Sequence, residues 1–269
     1  MNFKFTSGCV TMHVKILAIG DVAGSAGVKI LEDRLRGTRK EYGAAFTVVN
    51  GENAAGLGIT KEQAQQLLDS GADVVTLGNH TWSQREIIPF LDDCQYILRP
   101  ANFAPQVAGR GWGIFETSFG SVCVINLIGR SGMNNEYDNP FFKADGILKQ
   151  IETKLILVDF HAELTSEKQA MAYYLDGRVS ALWGTHTHVQ TSDCRIFKEG
   201  TGFITDLGMT GPCESVIGMK PEQPISRFLG NPPGRFVTAG GPAKIEGAVF
   251  EIDTDTGKCT AAESIRIEE

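Results

Sequence analysis

The chain has 269 residues, with 42% hydrophobic and 21% charged side chains, which is ordinary for a soluble globular protein of one large domain or two small ones. Its formal net charge of −7 argues against a general binder of nucleic acids or anionic membranes. No apolar stretch approaches the roughly 20 residues that span a bilayer. The six cysteines form no CxxC pair, so we expect a cytoplasmic protein with reduced thiols.

Short apolar runs alternate with amphipathic stretches along most of the chain. The first part of the chain predicts a strand at 14–19, a helix at 28–42, a strand at 46–49, a helix with a capping box at 60–70 and a strand at 74–77. A second capping box at 83–86 opens a helix that ends near 91, and a hairpin follows at 114–127. The remaining predicted elements are a helix at 140–151, a strand at 155–158, a helix at 167–175, a strand at 181–183, and hairpins at 195–204 and 243–267. This alternation favours an α/β sandwich with a mixed sheet. We expect residues 12–269 to form a single domain and residues 1–11 to be an extension outside its core.

Polar residues directly follow five of the apolar runs. They are Asp21, Glu52, Asn53, Asn79, His80, His161, His186 and His188. Because sites in open α/β sheets form at the carboxyl ends of strands, we expect these groups to converge on one rim. His186 and His188 stand at i and i+2, which predicts that both side chains share one face of an extended segment.

The residue types in this set fit metal ions. The predicted ligands are Asp21, Glu52, Asn53, Asn79, His161, His186 and His188. One ion with four to six ligands cannot use all seven, but two ions can, with Glu52 as the bridging carboxylate. The mixture of imidazole and oxygen ligands favours iron, manganese or zinc over calcium. The positive charge of two divalent ions exceeds the negative charge of two carboxylates, so the site would be net positive and would favour a phosphate substrate.

The predicted chemistry is hydrolysis by a metal-bridging hydroxide. Metal ions pull the pKa of a bound water from about 15.7 towards 7, so the hydroxide would be available near neutral pH. His80 directly follows Asn79 and need not be a ligand itself. We therefore predict that it acts as the general acid to the leaving oxygen, or as a donor to a phosphate oxygen.

Some of these positions have other interpretations. Asp21 could cap a helix, and Asn53 could simply shape a glycine-rich loop. Asp159 is interpreted as outward-facing or as a supporting group, and is left out of the site. Residues 205–212 could border the site or form only a tight turn. The Gly- and Asn-rich segment at 130–139 is predicted to be a loop near the site.

Longer blocks around the candidate residues resemble a known family. NGENAAG at 50–56, GNHTW at 78–82, RPAN at 99–102, VDFHAE at 158–163, GTHTH at 184–188 and DLGMTGP at 206–212 are similar to blocks of calcineurin-like metallophosphoesterases. The wider superfamily usually has an aspartate where Glu52 stands, and the glutamate form resembles the bacterial YmdB-like phosphodiesterase branch. The resemblance runs from about residue 15 to residue 252. Residues 1–11 and 131–139 lie outside it.

The resemblance implies a four-layer α/β/β/α metallophosphoesterase sandwich with mixed sheets. It also implies a two-metal site, often containing iron, and hydrolysis of small phosphodiesters, with cyclic nucleotides such as 2′,3′-cyclic AMP as substrates. A homo-oligomer is compatible with the family. Two other functions stay open: a metal-containing regulatory or scaffold protein that binds a nucleotide with little turnover, and a phosphatase acting on a phosphoprotein or an RNA end. The lack of a basic or aromatic stripe argues against long nucleic acids.

Overall fold

The computed structural model describes residues 12–133, 137–232, 234 and 236–269. The extension predicted at residues 1–11 lies outside the described residues, and so do residues 134–136 of the predicted loop. The helices are α1 (Gly24–Tyr42), α2 (Lys61–Ser70), α3 (Ile87–Asp93), α4 (Pro140–Leu148), α5 (Thr165–Leu175) and α6 (Glu222–Phe228). The strands are β1 (His13–Ile19), β2 (Asp21–Val22), β3 (Ala44–Asn50), β4 (Val74–Thr76), β5 (Ile97–Leu98), β6 (Trp112–Thr117), β7 (Gly120–Ile128), β8 (Leu155–His161), β9 (Ala181–Thr185), β10 (Arg195–Ile196), β11 (Gly202–Ile204), β12 (Met209–Pro212), β13 (Ala243–Asp253) and β14 (Cys259–Glu268).

Two mixed sheets form the centre of the molecule. The first has the strand order β2-β12-β13-β1-β3-β4-β5, with β14 paired to β13, and the second has the order β10-β11-β9-β8-β7-β6. Strands β1, β3 and β4 run parallel to one another in the first sheet, as do β7, β8 and β9 in the second. The carboxyl ends of the strands that carry the candidate residues therefore lie at one edge of each sheet.

Strand β1 shows why the sheets are covered on both faces. Leu17 and Ile19 pack in the same cluster as α1, α2 and α3, whereas Ile16 and Ala18 pack in a second cluster with residues of the other sheet, including Trp183. Successive side chains of a strand point to opposite faces, so a strand apolar at every position is one that is buried on both sides.

Three apolar clusters fill the spaces between four layers of helices and sheets. The first cluster joins the first sheet to α1, α2 and α3, the second lies between the sheets, and the third joins the second sheet to α4 and α5. The predicted four-layer α/β/β/α sandwich is therefore confirmed. The three predicted hairpins are also present as the antiparallel pairs β6/β7, β10/β11 and β13/β14.

One of the two predicted capping boxes is present. At the start of α2, Thr60 Oγ1 accepts a hydrogen bond from Gln63 N, and Gln63 Oε1 accepts one from Thr60 N, both at 3.1 Å. The box predicted at residues 83–86 is wrong, because α3 begins only at Ile87 and its N-cap makes no side-chain hydrogen bond. Gln84, within the same four residues, donates to the carbonyl of Leu57 at 2.9 Å.

The boundaries of other helices shift by a few residues. Helix α1 starts at Gly24 rather than at residue 28, and α4 ends at Leu148 rather than at 151. Gly24 has a φ of 66°, so glycine allows the chain to turn sharply from β2 into the helix. Within the described part of the chain, no helix has the length and apolar character needed to cross a membrane.

Candidate metal centre

The polar groups predicted at the strand ends come together between the two sheets. From the first sheet come Asp21, Glu52, Asn53, Asn79 and His80, and from the second come His161, His186 and His188. Direct contacts link residues of one sheet to residues of the other, such as Glu52 to His161 and Asp21 to His188. The tertiary fold thus brings the predicted set to one place.

His161 lies at the centre of one group of donor atoms. Its Nε2 is 3.0 Å from Glu52 Oε1, 3.0 Å from Asn79 Oδ1 and 3.1 Å from His186 Nδ1. Glu52, His161 and His186 each offer a ligand atom within 4.8 Å of the others. We call Glu52, Asn79, His161 and His186 the His161 half of the site, and the atoms of Glu52, His161 and His186 are close enough together to hold one metal ion.

A second group adjoins the first through Glu52. His188 Nε2 lies 3.1 Å from Asn53 Nδ2 and 3.8 Å from Asp21 Oδ1, and Asn53 Nδ2 also donates to Glu52 Oε1 at 3.2 Å. We call Asp21, Asn53 and His188 the His188 half. Asp21 is not a helix cap, because the N-cap of α1 is Ala23 and makes no side-chain hydrogen bond.

One atom of the His188 half points to a missing positive partner. Asp21 Oδ1 is buried and has no hydrogen-bond partner among the described residues, whereas Oδ2 accepts from the backbone N–H of His186 at 3.0 Å. A buried carboxylate oxygen without a partner is costly unless a cation neutralises it. This oxygen, together with the imidazole of His188, fits a transition-metal ion.

The electrostatics of the buried carboxylates differ between the two halves. Burial raises the pKa of Asp21 to about 6, and the nearby His188 and His161 only partly offset this. For Glu52, burial also raises the pKa, but His161 outweighs it and lowers the pKa to about 2. For His161, burial lowers the pKa, but Glu52 outweighs it and raises the pKa to about 9. In the metal-free chain, Glu52 and His161 therefore form a charged pair.

The turn that carries His186 and His188 is not extended. These residues have φ values of 101° and 64°, so the prediction that both share one face of an extended segment is wrong. The turn instead directs His186 Nδ1 to the His161 half and His188 Nε2 to the His188 half. Left-handed backbone at a residue other than glycine costs about 1–3 kcal/mol, and it persists only where the surroundings hold it.

A buried carboxylate supports His161 from within the protein. Asp159 accepts a hydrogen bond from Thr185 Oγ1 at 2.7 Å, and Thr185 Oγ1 lies 2.9 Å from His161 Nδ1. Thr76 Oγ1 and Asn50 Nδ2 donate to the other oxygen of Asp159 at 2.5 and 3.0 Å. With Nδ1–H donating to the hydroxyl, the lone pair of Nε2 is directed to the site. Of the two interpretations of Asp159, the outward-facing one is therefore wrong, and the contacts agree with a supporting group.

His80 stands apart from both groups. Its backbone N–H donates to Glu52 Oε2 at 3.2 Å, but its half-buried ring has no hydrogen-bond partner within the described ranges. Burial lowers the pKa of His80, and the Glu52 carboxylate opposes this effect. Gly78, two residues earlier, lets this loop approach closely, because a Cβ there would collide with Glu52 Oε2 and the His161 ring.

The segments whose role the sequence left open border the site. Asp206, in the β11–β12 connection, accepts hydrogen bonds from Thr187 between the two histidines of the turn. The described start of the 130–139 segment lies beside Glu163, because a Cβ at Gly132 would lie 2.9 Å from Glu163 Cγ. Glu163 Oε2 lies 3.0 Å from His186 Nε2. Sequence reasoning missed Glu163, although it stands in the same block as His161.

A four-layer sandwich with carboxylate, amide and imidazole groups gathered at its strand ends defines the metallophosphoesterase class. Within that class, the model of the YmdB-like protein family matches residues 17–265. The chain belongs to this family.

Relatives and solved structures agree over nearly the full length of the chain. The 2′,3′-cyclic-nucleotide 2′-phosphodiesterase of Bacillus subtilis (strain 168) is 45% identical over 257 residues, which are 94% of this chain and 97% of the relative. The crystal structure of a novel phosphatase from Mycoplasma pneumoniae has a TM-score of 0.91 and 35% identity, with 96% of this chain and 95% of that chain covered. A hypothetical protein from Thermus thermophilus has a TM-score of 0.89 and 36% identity, with 95% and 100% covered. The predicted family, fold and phosphodiesterase class of enzyme are confirmed.

Proposed function

We propose that this chain is a dinuclear metal-dependent phosphodiesterase that hydrolyses small phosphodiesters, above all 2′,3′-cyclic nucleotides. The observation that carries the proposal is the pair of ligand groups that meet at Glu52. The His161 half would hold one ion and the His188 half the other, with the Glu52 carboxylate between them. Iron is the first candidate metal, with manganese and zinc as alternatives, because imidazole and oxygen ligands suit all three.

When bound, the two ions would supply positive charge for the phosphate and make a water acidic enough to yield the attacking hydroxide near neutral pH. The chain's own residues position these groups and manage the protons. The hydrogen bond between Thr185 and His161 orients one imidazole, and the Asp21 carboxylate accepts from the turn that carries two others. Burial of Glu52 and Asp21 excludes bulk water from the centre.

His80 is proposed as the proton donor to the leaving oxygen. Its ring lies next to the cluster, yet it takes no part in the hydrogen bonds among the proposed ligands in the described chain. A positioned imidazole typically contributes about 10²–10⁴-fold to such a reaction. An alternative role for the same ring is a hydrogen bond to a phosphate oxygen.

The proposed substrate follows from the relationship to the B. subtilis enzyme together with the ligand set. That relative is a 2′,3′-cyclic-nucleotide 2′-phosphodiesterase and matches 94% of this chain. Cleavage of the 2′ ester bond of 2′,3′-cyclic AMP consumes one water and leaves 3′-AMP. The site accepts an anionic phosphate despite the acidic chain because the charge of bound metals would be local.

The test is a substrate panel on chain purified with Mn²⁺ or, without oxygen, with Fe²⁺. The panel contains 2′,3′-cyclic AMP, 3′,5′-cyclic AMP, 3′-AMP, a phosphopeptide and a 5′-phosphorylated oligonucleotide, with products separated by chromatography. We expect 3′-AMP from the first substrate and about two metal ions per chain. Glu52→Gln should lower kcat by more than about 100-fold, since even groups that only support metal ligands cost about 10–100-fold when removed.

Glu32→Gln is the matched control, because it makes the same chemical change on the exposed face of α1. It should leave turnover and metal content unchanged, and circular dichroism should show that both variants fold. Tight nucleotide binding without product would favour a regulatory or scaffold role. Turnover of the phosphopeptide or the oligonucleotide end alone would favour a phosphatase. Full activity in Glu52→Gln would refute the proposed mechanism.

A further inference from the structure

A charged pair lies inside the protein beside the candidate metal centre but outside its proposed ligands. Lys168 Nζ, from α5, is 2.6 Å from Asp206 Oδ2, and the two side chains are only 0% and 1% exposed. Lysine and aspartate are almost never fully buried unless they are paired. The proposed reaction uses neither group, so the pair calls for a separate explanation.

Asp206 reaches the turn that bears two proposed ligands. Its Oδ2 accepts hydrogen bonds from Thr187 Oγ1 at 2.8 Å and from Thr187 N at 3.2 Å, in addition to the ion pair with Lys168. Its Oδ1 accepts from the N–H of Gly208 at 2.9 Å. Each oxygen of the carboxylate is therefore held, and the carboxylate is fixed in position against Thr187.

Thr187 sits between two residues with unfavourable backbone conformations. His186 and His188 have φ values of 101° and 64°, and β9 has already ended at Thr185. No β-pairing in the described sheet extends to this turn. Left-handed backbone at residues other than glycine persists only where neighbouring groups hold it. Here the Asp206 carboxylate accepts two hydrogen bonds from Thr187, the residue between the two histidines.

The stem of Lys168 depends on a glycine just before the turn. A Cβ at Gly184 would lie 2.6 Å from Lys168 Cδ and would also collide with the carbonyl of Thr205. A side chain at position 184 would therefore block the path that brings the ammonium group to Asp206. The methylene stem of Lys168 lies against Gly184, and its charged end pairs with Asp206.

We propose that Lys168 and Asp206 form a clamp that positions His186 and His188 for metal binding, with Thr187 as the residue that the clamp holds. One clamp would serve both halves of the site, because His186 faces the His161 half and His188 faces the other. Lys168, Asp206 and Thr187 are positioning residues. The inference rests on the proposed function, because it requires that both halves of the site bind a metal ion.

The test measures Mn²⁺ binding by equilibrium dialysis, together with the electron paramagnetic resonance signal of a coupled manganese pair. Thr187→Val keeps the shape of the side chain but removes the hydroxyl, and Thr187→Ser keeps the hydroxyl. We expect Thr187→Val to weaken the binding of both ions by about 10–100-fold and to reduce the paired signal, whereas Thr187→Ser binds as the unmodified chain does. Asp206→Asn, measured in parallel, should weaken both ions similarly.

Thr201→Val is the control for general destabilisation. Thr201 is fully buried and donates to the carbonyl of Val179 at 2.8 Å, away from the site, so its loss should lower the Tm without weakening Mn²⁺ binding. Unchanged binding in Thr187→Val, equal losses in Thr187→Val and Thr187→Ser, or loss of only one ion would each overturn the clamp. If the unmodified chain binds no pair of Mn²⁺ ions, both proposals fail. If it binds the pair and hydrolyses 2′,3′-cyclic AMP while Thr187→Val is normal, only the clamp fails.

Discussion

The two halves of the candidate metal centre are supported in different ways. In the His161 half, His161 is the last residue of β8, and its Nδ1 contacts Thr185, the last residue of β9. Both strands lie inside a sheet, and Asp159 behind them is fully buried. In the His188 half, His188 follows the end of β9, and its Nδ1 contacts the carbonyl of Ile217, which is 52% exposed.

This difference has consequences for metal affinity. A ring oriented by a buried hydrogen-bond network loses little motion when an ion binds, whereas a ring oriented by an exposed carbonyl loses more, even on a backbone that is held in place. We therefore expect the His161 half to bind the first ion and the His188 half to bind the second, more weakly. The assignment of the seven ligands stays a prediction, and the following measurements test it together with this asymmetry.

The largest expected effect comes from a residue that belongs to neither half. His80→Gln should lower kcat for 2′,3′-cyclic AMP by about 10²–10⁴-fold, because it removes the proposed proton donor. Mn²⁺ content should stay near two ions per chain, since the ring makes no hydrogen bond to the proposed ligands in the described chain. Steady-state kinetics and elemental analysis on one preparation check both expectations. A drop to one ion would show instead that His80 is a ligand.

The next effect should appear in one half only. Thr185→Val removes the hydroxyl between Asp159 and His161, so His161 loses the partner that orients it. We expect about 10–100-fold weaker binding of the first Mn²⁺ ion, with restoration in Thr185→Ser. Calorimetric titration separates the two binding steps. Equal weakening of both steps would remove the distinction between the halves.

A smaller effect concerns pH. Burial lowers the pKa of His161, but Glu52 outweighs it and raises the pKa to about 9, above the ordinary value of 6.5. The stabilisation from this raised pKa is complete below pH 6.5 and is lost as the pH rises towards 9, at about 1.4 kcal/mol per pKa unit. The Tm of the metal-free chain should therefore fall over this interval.

Metal should remove this pH dependence. A ligating imidazole must be neutral, so Mn²⁺ binding to the folded chain improves as the pH rises and offsets the loss of the charged pair. Because an unfolded histidine is also neutral above about pH 6.5, the Tm with excess Mn²⁺ should stay level between about pH 6.5 and 8.5. Thermal denaturation with EDTA and with Mn²⁺ measures the two slopes. Glu52→Gln should flatten the metal-free profile. A flat metal-free profile in the unmodified chain would contradict the charged pair.

The smallest effect lies outside both halves. Thr60→Ala removes the side-chain cap of α2 and should lower the free energy of unfolding by about 1 kcal/mol. Urea denaturation measures this loss. Mn²⁺ affinity should not change, because the cap contacts no proposed ligand. Weaker metal binding in this variant would show that the site responds to general stability, and it would weaken the conclusions from Thr185 and Thr187.

Much of the site was predictable because its residues are marked locally. Glu52 and Asn79 directly follow short apolar runs and stand beside glycines, and that pattern is typical of strand ends that approach a ligand. Lys168 had no such mark, since a lysine in an amphipathic stretch is usually exposed. The outward-facing interpretation of Asp159 was wrong because β8 is buried on both faces. On such a strand, the alternation of side chains does not show which residues face solvent.

Local sequence was also insufficient at two turns. Residues 83–86 match a capping box, yet the helix starts only at Ile87, and Gln84 donates to the carbonyl of Leu57. The spacing of His186 and His188 suggested an extended segment, yet both residues adopt left-handed backbone next to Asp206. In each case a residue distant in the chain supplied a hydrogen bond that no local pattern contains.

By itself, the sequence determined the family, the alternation of strands and helices, and the types of side chain available to hold metal ions, because these are written in short contiguous blocks. Only the tertiary structure decided how those side chains divide into two halves and what holds each one. The order of strands β7, β8 and β9 places Asp159 and Thr185 beside His161, and the β11–β12 connection brings Asp206 to Thr187. Such neighbours depend on the pairing of distant strands and on the path of connections, which a linear pattern does not specify.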